Sequence, residues 1–280
     1  MICITIIVFS KTTMSDMLAS CISTRTIIVS VPLQFIVNDI FDSVPLNKKI
    51  PGHDCQIVTC YYRDRVKGDP TLKRTKQKRS SFRNVVNLIV ESGDRFINIK
   101  ISAHGNLQIT GGRDKEKVYD AVVYLLFLIW ESCPQIIVEW KDTIEIIFRT
   151  VMTNVVFSVG YQIDKGKLNT MIQNATNFYT LFETSFGYTG MNIKIPIEKE
   201  QQEAQISRCL TIHFPTKEVQ HVDQIVQMNF KKPQKFNTFL VFHSGKILMS
   251  GMIEDNMAHD FHMFHNFLKI HQNKIKENII

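Results

Sequence analysis

A short hairpin pattern with a glycine turn occurs twice in this chain and constrains its fold more than any other feature. The stretch SAHGNLQITGG is followed 140 residues later by FHSGKILMSGM, so that Gly105 aligns with Gly245 and Gly111 with Gly251. In both copies a strand-like run leads into a tight glycine turn, and a second short strand ends at another glycine. An offset of half the length of a 280-residue chain predicts two structural repeats.

The segments around the two hairpins follow the same order. In the first half TRTIIVSV (24–31) predicts a strand, and RDKEKVYDAVVYLLFLIWESCP predicts a long buried helix that stops at Pro134. In the second half TNVVFSVGYQI (153–163) predicts a strand, and IEDNMAHDFHMFHNFLKIH predicts the closing helix. The sequence therefore predicts an α+β fold, with two pseudo-symmetric repeats that share one antiparallel sheet and helices that cover one face of it.

The positive charge of the chain is concentrated in one segment. Residues 63–79 hold eight Lys or Arg against two Asp, which accounts for +6 of the net charge of +7. A solvated mobile loop and a basic arm that follows a phosphate backbone both fit this composition. The basic residues of the segment are Arg63, Arg65, Lys67, Lys73, Arg74, Lys76, Lys78 and Arg79.

The sequence carries no motif of an enzyme, a cofactor site or a membrane anchor. A Walker loop, GxSxG and HExxH are all absent. His53, Cys55 and Cys60 could form half of a zinc site, but no second ligand pair completes it, which favours thiols in a reducing compartment. The apolar run 121–130 is about half a bilayer span, and the apolar start lacks the features of a signal peptide. We expect an intracellular protein that is not an enzyme and that uses no metal or cofactor.

The hairpins resemble the motif that closes each repeat of the TATA-box-binding protein family. HSGKILMSG matches that motif closely and AHGNLQITG more loosely, and the resemblance extends over about residues 24–270 with long insertions. The chain looks like the divergent versions carried by large cytoplasmic DNA viruses. In this family two repeats form one curved sheet, a saddle with helices on its convex face, which binds the minor groove and kinks DNA with inserted side chains. The resemblance implies an N-terminal extension at 1–20, a first repeat at 21–145 with a basic insertion at 63–79, and a second repeat at 146–280.

The resemblance also implies contact roles for the open face of each repeat. The central asparagine of the second repeat corresponds to Asn154, and Thr26 occupies the matching slot of the first repeat. Phe242 and Tyr188 fall on the two wedge positions of the second repeat, and Lys194 falls where a phosphate-contacting arginine is expected.

The first repeat lacks an equally clear set of wedges. Ser102 stands at the position of Phe242, and Phe82, Tyr61 or Tyr62 could supply the other wedge. Alternation along the strands makes the first hairpin polar and the second apolar on this face, so we expect the second repeat to kink the duplex and the first to clamp it. The expected DNA-contacting residues are Thr26, Ile28, Phe82, Lys100, Ser102, Gln108, Thr110, Asn154, Val156, Tyr188, Lys194, Leu240, Phe242, Lys246, Leu248 and Ser250.

The function implied by the resemblance is transcription initiation on AT-rich promoters. The expected partners are double-stranded AT-rich DNA, a transcription factor IIB-like protein and RNA polymerase. The expected location is the host cytoplasm, in a viral factory, or the nucleus, with packaging in the virion as a further option. Two alternatives stay open: a saddle-fold protein scaffold that has lost DNA binding, which Thr26 and Ser102 favour, and an accessory nucleic-acid-binding module of a nuclease or glycosylase type.

Overall fold

The computed structural model of the chain describes residues 11–72, 84–182, 190–197, 204–227 and 234–277. In chain order the helices and strands are α1 (Lys11–Cys21), β1 (Ile22–Ser30), α2 (Val37–Ser43), β2 (Cys55–Tyr62), β3 (Arg65–Gly68), β4 (Val85–Ser92), β5 (Arg95–Ser102), β6 (Asn106–Gly112), α3 (Lys115–Ser132), β7 (Thr143–Ser158), α4 (Lys165–Ala175), β8 (Tyr179–Leu181), β9 (Gly190–Pro196), β10 (Ala204–His213), β11 (Glu218–Gln227), β12 (Phe236–Phe242), β13 (Lys246–Gly251), α5 (Glu254–Ile270) and α6 (Gln272–Ile275). Short 3₁₀ turns occupy Pro70–Leu72 and Pro134–Ile136.

These elements form two compact units, each with its own hydrophobic core. The first unit holds the described residues of 24–151 and 206–226. The second unit holds those of 1–23, 152–205 and 227–280. Both combine antiparallel strands with helices packed on one sheet face, so the predicted α+β class is confirmed.

The first unit is built on the antiparallel ladder β3–β2–β4–β5–β6–β1. Ile97, Ile99 and Ile101 alternate along β5 toward one face and are fully buried in the core that also contains α3. Helix α3 begins at Asp114, whose carboxylate accepts a hydrogen bond from Glu116 N at 2.9 Å. The helix is apolar on nearly every side. The β10–β11 hairpin packs against it in addition to the sheet, so most of these apolar side chains are buried.

The second unit is built on the antiparallel ladder of the second half of β7 with β13, β12, β9 and β8. Its core lies between this sheet and α5, where the ring centroids of Phe239 and Phe264 are 4.4 Å apart. Helix α4 begins at Asp164, whose Oδ1 accepts a hydrogen bond from Lys167 N at 3.0 Å. Helix α1 packs against α5.

The hairpin duplicated in the sequence is also duplicated in its backbone contacts. Gly105 O accepts a hydrogen bond from Val31 N at 2.9 Å, and Gly245 O accepts one from Val159 N at 3.1 Å. Both glycines have positive φ angles, +75° and +79°, in the region that disfavours other residues. The second hairpin therefore reproduces both the turn and the strand-end contact of the first.

The second pair of aligned glycines differs in its packing. Gly111 has a φ of +90° and lies at a bulge, where the pairing of β1 with β6 skips one residue. A β carbon on Gly112 would overlap the side chain of Val118, whereas a β carbon on Gly251 would lie 2.6 Å from Met257 Cγ. The extra residue at the bulge therefore transfers the close contact with the following helix from Gly111 to Gly112.

The units differ from the expected repeat boundaries in two places. The expected boundary between 145 and 146 falls inside β7, and the division between the units lies between Val151 and Met152. The β10–β11 hairpin belongs to the first unit, although its sequence lies in the second half, because β10 pairs with residues 143–148 of β7. Periodicity along a strand could not indicate this, since it does not specify the pairing partner.

Candidate nucleic-acid interface

Each unit has one sheet face that the helices in the described part of the chain do not cover. Residues directly opposite each other on antiparallel strands point to the same face, so the strand pairings define which side chains lie there. We call these surfaces the first open face, in the first unit, and the second open face, in the second unit. They contain the described members of the expected DNA-contacting set.

The second open face has an apolar middle. One row of paired residues crosses its five strands and contains Val156, Leu248, Leu240, Asn192 and Leu181. Leu181 is 58% exposed, and the other four are half-buried. Four of the five side chains in this row are therefore apolar, on a sheet surface that the described helices do not cover.

The neighbouring row of the second open face carries polar groups. It contains Asn154, Ser250, Thr238, Lys194 and Tyr179. Ser250 Oγ donates a hydrogen bond to Asn154 Oδ1 at 2.7 Å. Because that carbonyl oxygen is engaged, the Asn154 side chain can offer its two N–H donors to a ligand.

Phe242 lies at one end of the second open face, opposite Gly190 on the neighbouring strand. A β carbon on Gly190 would lie 2.5 Å from Leu240 Cδ1 and 3.5 Å from Phe242 Cε1. The missing side chain at position 190 therefore gives these two apolar side chains room on the sheet surface.

The second open face also carries a cluster of two aromatic rings and a lysine that the sequence did not indicate. The rings of Tyr179 and Phe236 meet at 89° with centroids 5.7 Å apart, and Lys194 Nζ lies 5.8 Å from the Phe236 centroid. Alternation back from Leu240 could have placed Phe236 on this face. Tyr179 could not be placed in this way, because the stretch KGKLNTMIQNATNFYTLF (165–182) predicts one continuous helix. In the structure α4 ends at Ala175 and β8 follows.

The first open face is polar at the equivalent positions. Its central row contains Ile28, Gln108, Lys100, Asn87 and Tyr61. Gln108 and Lys100 thus occupy the places that two leucines hold in the second unit. The difference between the hairpins that the sequence indicated is therefore a difference between two sheet surfaces.

The slot of the central asparagine also differs between the units. Thr26 pairs with Thr110 in the first unit, where Asn154 pairs with Ser250 in the second. Thr26 is only 9% exposed, so little of its hydroxyl side chain reaches the surface. Lys246, another expected contact, is exposed at the start of β13.

The tyrosines considered as first-unit wedges are not available for insertion in this structure. Tyr62 points to the helix face, where it is buried and its hydroxyl donates a hydrogen bond to Asn38 Oδ1. Tyr61 lies on the open face but is only 8% exposed, and burial raises the pKa of its hydroxyl. Ser102 donates a hydrogen bond from Oγ to the carbonyl oxygen of Asn106 at 2.9 Å, within its own turn.

The basic segment 63–79 begins as folded structure and not as a mobile loop. Arg63 occupies the β2–β3 turn with a φ of +53°. Arg65 forms an ion pair with Asp42, and Lys67 Nζ donates to the carbonyl oxygen of Val44 at 2.8 Å, at the C-terminal end of α2. The other basic residues and two of the wedge candidates lie outside the described residues: Lys73, Arg74, Lys76, Lys78, Arg79, Phe82 and Tyr188.

The residues weighed as half of a zinc site make other contacts. His53 Nδ1 lies 2.5 Å from Asp120 Oδ1, and Cys55 Sγ lies 3.3 Å from Asp120 Oδ2. Burial raises the pKa of both the Cys55 and the Cys60 thiols to about 12, which keeps them protonated. Across the described residues, no group of three ligating side chains is arranged to hold a metal ion.

The chain is similar to known proteins both in sequence and in structure. No protein-family model matches the chain. The chain is 25% identical over 207 residues to "Uncharacterized protein 335L" of Invertebrate iridescent virus 6, an alignment that covers 69% of this chain and 62% of the relative. The chain thus spans less than two thirds of that relative. It also resembles the solved structure of Methanococcus jannaschii TBP, with a TM-score of 0.46 and 10% identity over 89% of this chain and 97% of that chain. In the described ranges, no helix is long and apolar enough to cross a membrane.

Proposed function

We propose that this protein is a transcription initiation factor that binds AT-rich duplex DNA through the minor groove and bends it. The observation that carries the proposal is the second open face, an apolar sheet surface with an oriented amide donor in the neighbouring row. The polar first open face would hold the duplex by hydrogen bonds and phosphate contacts. The proposal includes no catalytic step, metal or cofactor.

The amide of Asn154 fits the floor of an A·T minor groove. A·T and T·A pairs present only acceptors there, adenine N3 and thymine O2, whereas a G·C pair adds the guanine amino donor. Because Ser250 engages the carbonyl oxygen, Asn154 meets these acceptors with its NH₂ group and would oppose a guanine amino group donor to donor. The site therefore favours A·T at this position.

The apolar side chains around this amide suit a widened and bent groove. Leu240, Leu248 and Val156 present hydrocarbon to the sugar edges, which carry no strong hydrogen-bonding groups there. Phe242, at the end of β12 and half-buried, is the side chain proposed to enter a base step. Inserting a side chain in this way kinks DNA toward the major groove, and the unstacking is offset by the additional contact area.

Recruitment of transcription machinery belongs to the same proposal. A transcription factor IIB-like protein and RNA polymerase are the proposed partners, and a viral factory in the host cytoplasm, the nucleus or the virion is the proposed location. The support for this part is the resemblance of the two hairpins to the TATA-box-binding protein family.

The test compares three duplexes of equal length by fluorescence anisotropy at several salt concentrations. One has an A·T core, one a G·C core, and one an inosine·C core, which lacks the guanine amino group. We expect the A·T and inosine·C duplexes to bind about equally and the G·C duplex to bind at least ~10-fold more weakly, with a steep loss of affinity as salt rises. Asn154→Ala should weaken binding to the A·T duplex by about 5- to 100-fold.

Two outcomes would contradict the proposal. No binding to any duplex at low salt would favour the protein scaffold that has lost DNA binding. Equal binding to all three duplexes would indicate phosphate contacts alone and would favour an accessory nucleic-acid-binding module.

A further inference from the structure

Each open face carries an asparagine at the same position of the repeat, and neither was found from the sequence. Asn87 on β4 pairs with Lys100 of the first hairpin. Asn192 on β9 pairs with Leu240 of the second hairpin. Lys100 and Leu240 are equivalent hairpin positions, since each lies five residues before the glycine of its turn. The two asparagines are therefore structural counterparts.

Both amides are turned the same way. Asn87 Oδ1 and Asn192 Oδ1 are buried and have no hydrogen-bond partner among the described residues. The oxygen and nitrogen of an amide diverge from the same carbon, and neither Nδ2 atom is among the buried atoms without a partner in the described chain, so the NH₂ group is the end that faces the open surface. Asn98 Oδ1, next to Asn87 on the first open face, is also buried without a partner.

The fold by itself does not require these amides. A buried polar atom without a partner destabilises a protein, whereas an apolar side chain of similar size at the same place is neutral or stabilising. The neighbours of Asn192 in its row are Leu240 and Leu181, against which a leucine could pack. An asparagine in this place, twice in one chain, indicates a requirement outside the chain for outward N–H donors.

We propose that Asn87 and Asn192 donate hydrogen bonds to base-edge acceptors in the minor groove, one donor position in each unit. This inference rests on the proposed function and extends it, because it adds A·T readout beside Asn154 and gives the first unit a donor despite Thr26. The ligand groups are adenine N3 and thymine O2, and a guanine amino group at the same place would be rejected.

The test combines affinity with stability for Asn87→Leu and Asn192→Leu. Each variant should bind the A·T duplex about 3- to 10-fold more weakly than the wild-type protein, and its thermal unfolding midpoint should stay the same or rise. The matched control is Asn169→Leu, because Asn169 Oδ1 is also buried without a partner in the described chain but lies on helix α4. That variant should bind the duplex like the wild-type protein.

A second readout uses duplexes with single A·T to G·C changes along the core. At one position in the core, the change to G·C should weaken binding by the wild-type protein and by Asn154→Ala. The same change should not weaken binding by Asn192→Leu. Leucine variants that bind and discriminate like the wild-type protein would overturn the inference and leave the proposed function intact. Leucine variants that unfold at a lower temperature would show that the amides serve the fold, which also overturns it. A wild-type protein that binds no duplex would overturn the proposed function and this inference together.

Discussion

The turn glycine of the second hairpin illustrates how single residues control this structure. Gly245 has a φ of +79°, and a β carbon there would overlap the carbonyl oxygen of Tyr161. Gly160 has the same φ of +79°, but no atom lies within 4 Å of the place of its β carbon. Alanine substitutions at the two positions therefore distinguish the cost of backbone strain alone from the cost of strain together with a steric clash.

Gly245→Ala should lower the free energy of unfolding by at least about 2 kcal/mol more than Gly160→Ala does. Alanine at position 160 must adopt the left-handed backbone conformation, which costs about 1–2 kcal/mol. Alanine at position 245 has the same cost, and the hairpin must also move away from Tyr161. Urea denaturation of both variants measures the difference. Equal losses would mean that the hairpin relaxes without cost.

Three asparagine side chains have their carbonyl oxygens held in two different ways. Asn154 has its oxygen held by Ser250, while Asn87 and Asn192 have theirs buried without a partner. In all three the carbonyl oxygen is either hydrogen-bonded or buried within the protein. Residue identity alone does not determine this orientation, which depends on what surrounds each oxygen.

Among the elements, the β10–β11 hairpin covers one flank of helix α3 in the first unit. It packs along α3, with ion pairs from Arg208 to Glu116 and from Lys217 to Glu131. The turn between its strands contributes Phe214, which is fully buried. A helix with one exposed flank would need polar residues on that flank. Because the hairpin covers this flank of α3, the helix has few polar residues.

Phe214→Ala should destabilise the protein by about 3–5 kcal/mol, because it opens a cavity among large rings. The ring centroids of Trp130 and Trp140 lie 5.3 Å and 5.0 Å from that of Phe214. These are the two tryptophans of the chain, so their emission should shift to longer wavelength as water reaches them. Phe96→Ala is the control, since Phe96 is 49% exposed and should change the stability by less than about 0.5 kcal/mol. A stability loss as small as that of the control would mean that the hairpin does not support α3.

Helix α5 should make the stability of the second unit depend on pH. His265 stacks on Phe261 with ring centroids 6.0 Å apart, and burial, then His262 and Lys269, lower its pKa below the ordinary 6.5. The unfolded chain thus binds a proton at this histidine more readily than the folded protein does. The contribution to stability is present above pH 6.5 and is lost as the pH falls through the lowered pKa.

His265→Phe should therefore flatten the decline of the unfolding midpoint between about pH 6.5 and pH 5, since it removes the proton-binding group and keeps a ring against Phe261. His104→Phe is the control, because His104 is exposed in the turn of the first hairpin. Thermal unfolding across this pH range measures both slopes. A decline as steep in His265→Phe as in the wild-type protein would assign the pH dependence to other groups.

For the molecule as a whole, the two units present the same strand arrangement with different chemistry. The second open face has Leu240 and Leu248 where the first has Lys100 and Gln108. Phe242 likewise stands at the position of Ser102. Under the proposed function, such a molecule should act on DNA unevenly, with the kink produced by the second unit.

Phe242→Ala should reduce the DNA bend by roughly 20–40° and weaken binding, because the base step opposite the second unit is no longer opened. Ser102→Ala should leave the bend unchanged, since the Ser102 hydroxyl is engaged with Asn106 in its own turn. Fluorescence energy transfer between the ends of a labelled AT-rich duplex measures the bend. Equal loss of bending in the two variants would contradict this division of roles, and Ser102→Phe tests whether a second wedge increases the bend.

The features that depend on neighbouring residues follow from the amino-acid sequence alone. Alternation along β5 and β12 showed which side chains share a face, and the glycine turns showed that the hairpin is duplicated. The run of apolar residues before Pro134 predicted α3. Each of these follows from local geometry, because a strand repeats every two residues and a positive φ favours glycine.

Only the tertiary structure decided the pairings between distant segments. It placed β10 beside the first half of β7, and it engaged Arg65 and Lys67 with the end of α2 instead of leaving them in a basic arm. It also buried the side-chain oxygens of Asn87 and Asn192. A period in the sequence gives the direction of a side chain but not its neighbour, and those neighbours come from residues far away in the chain.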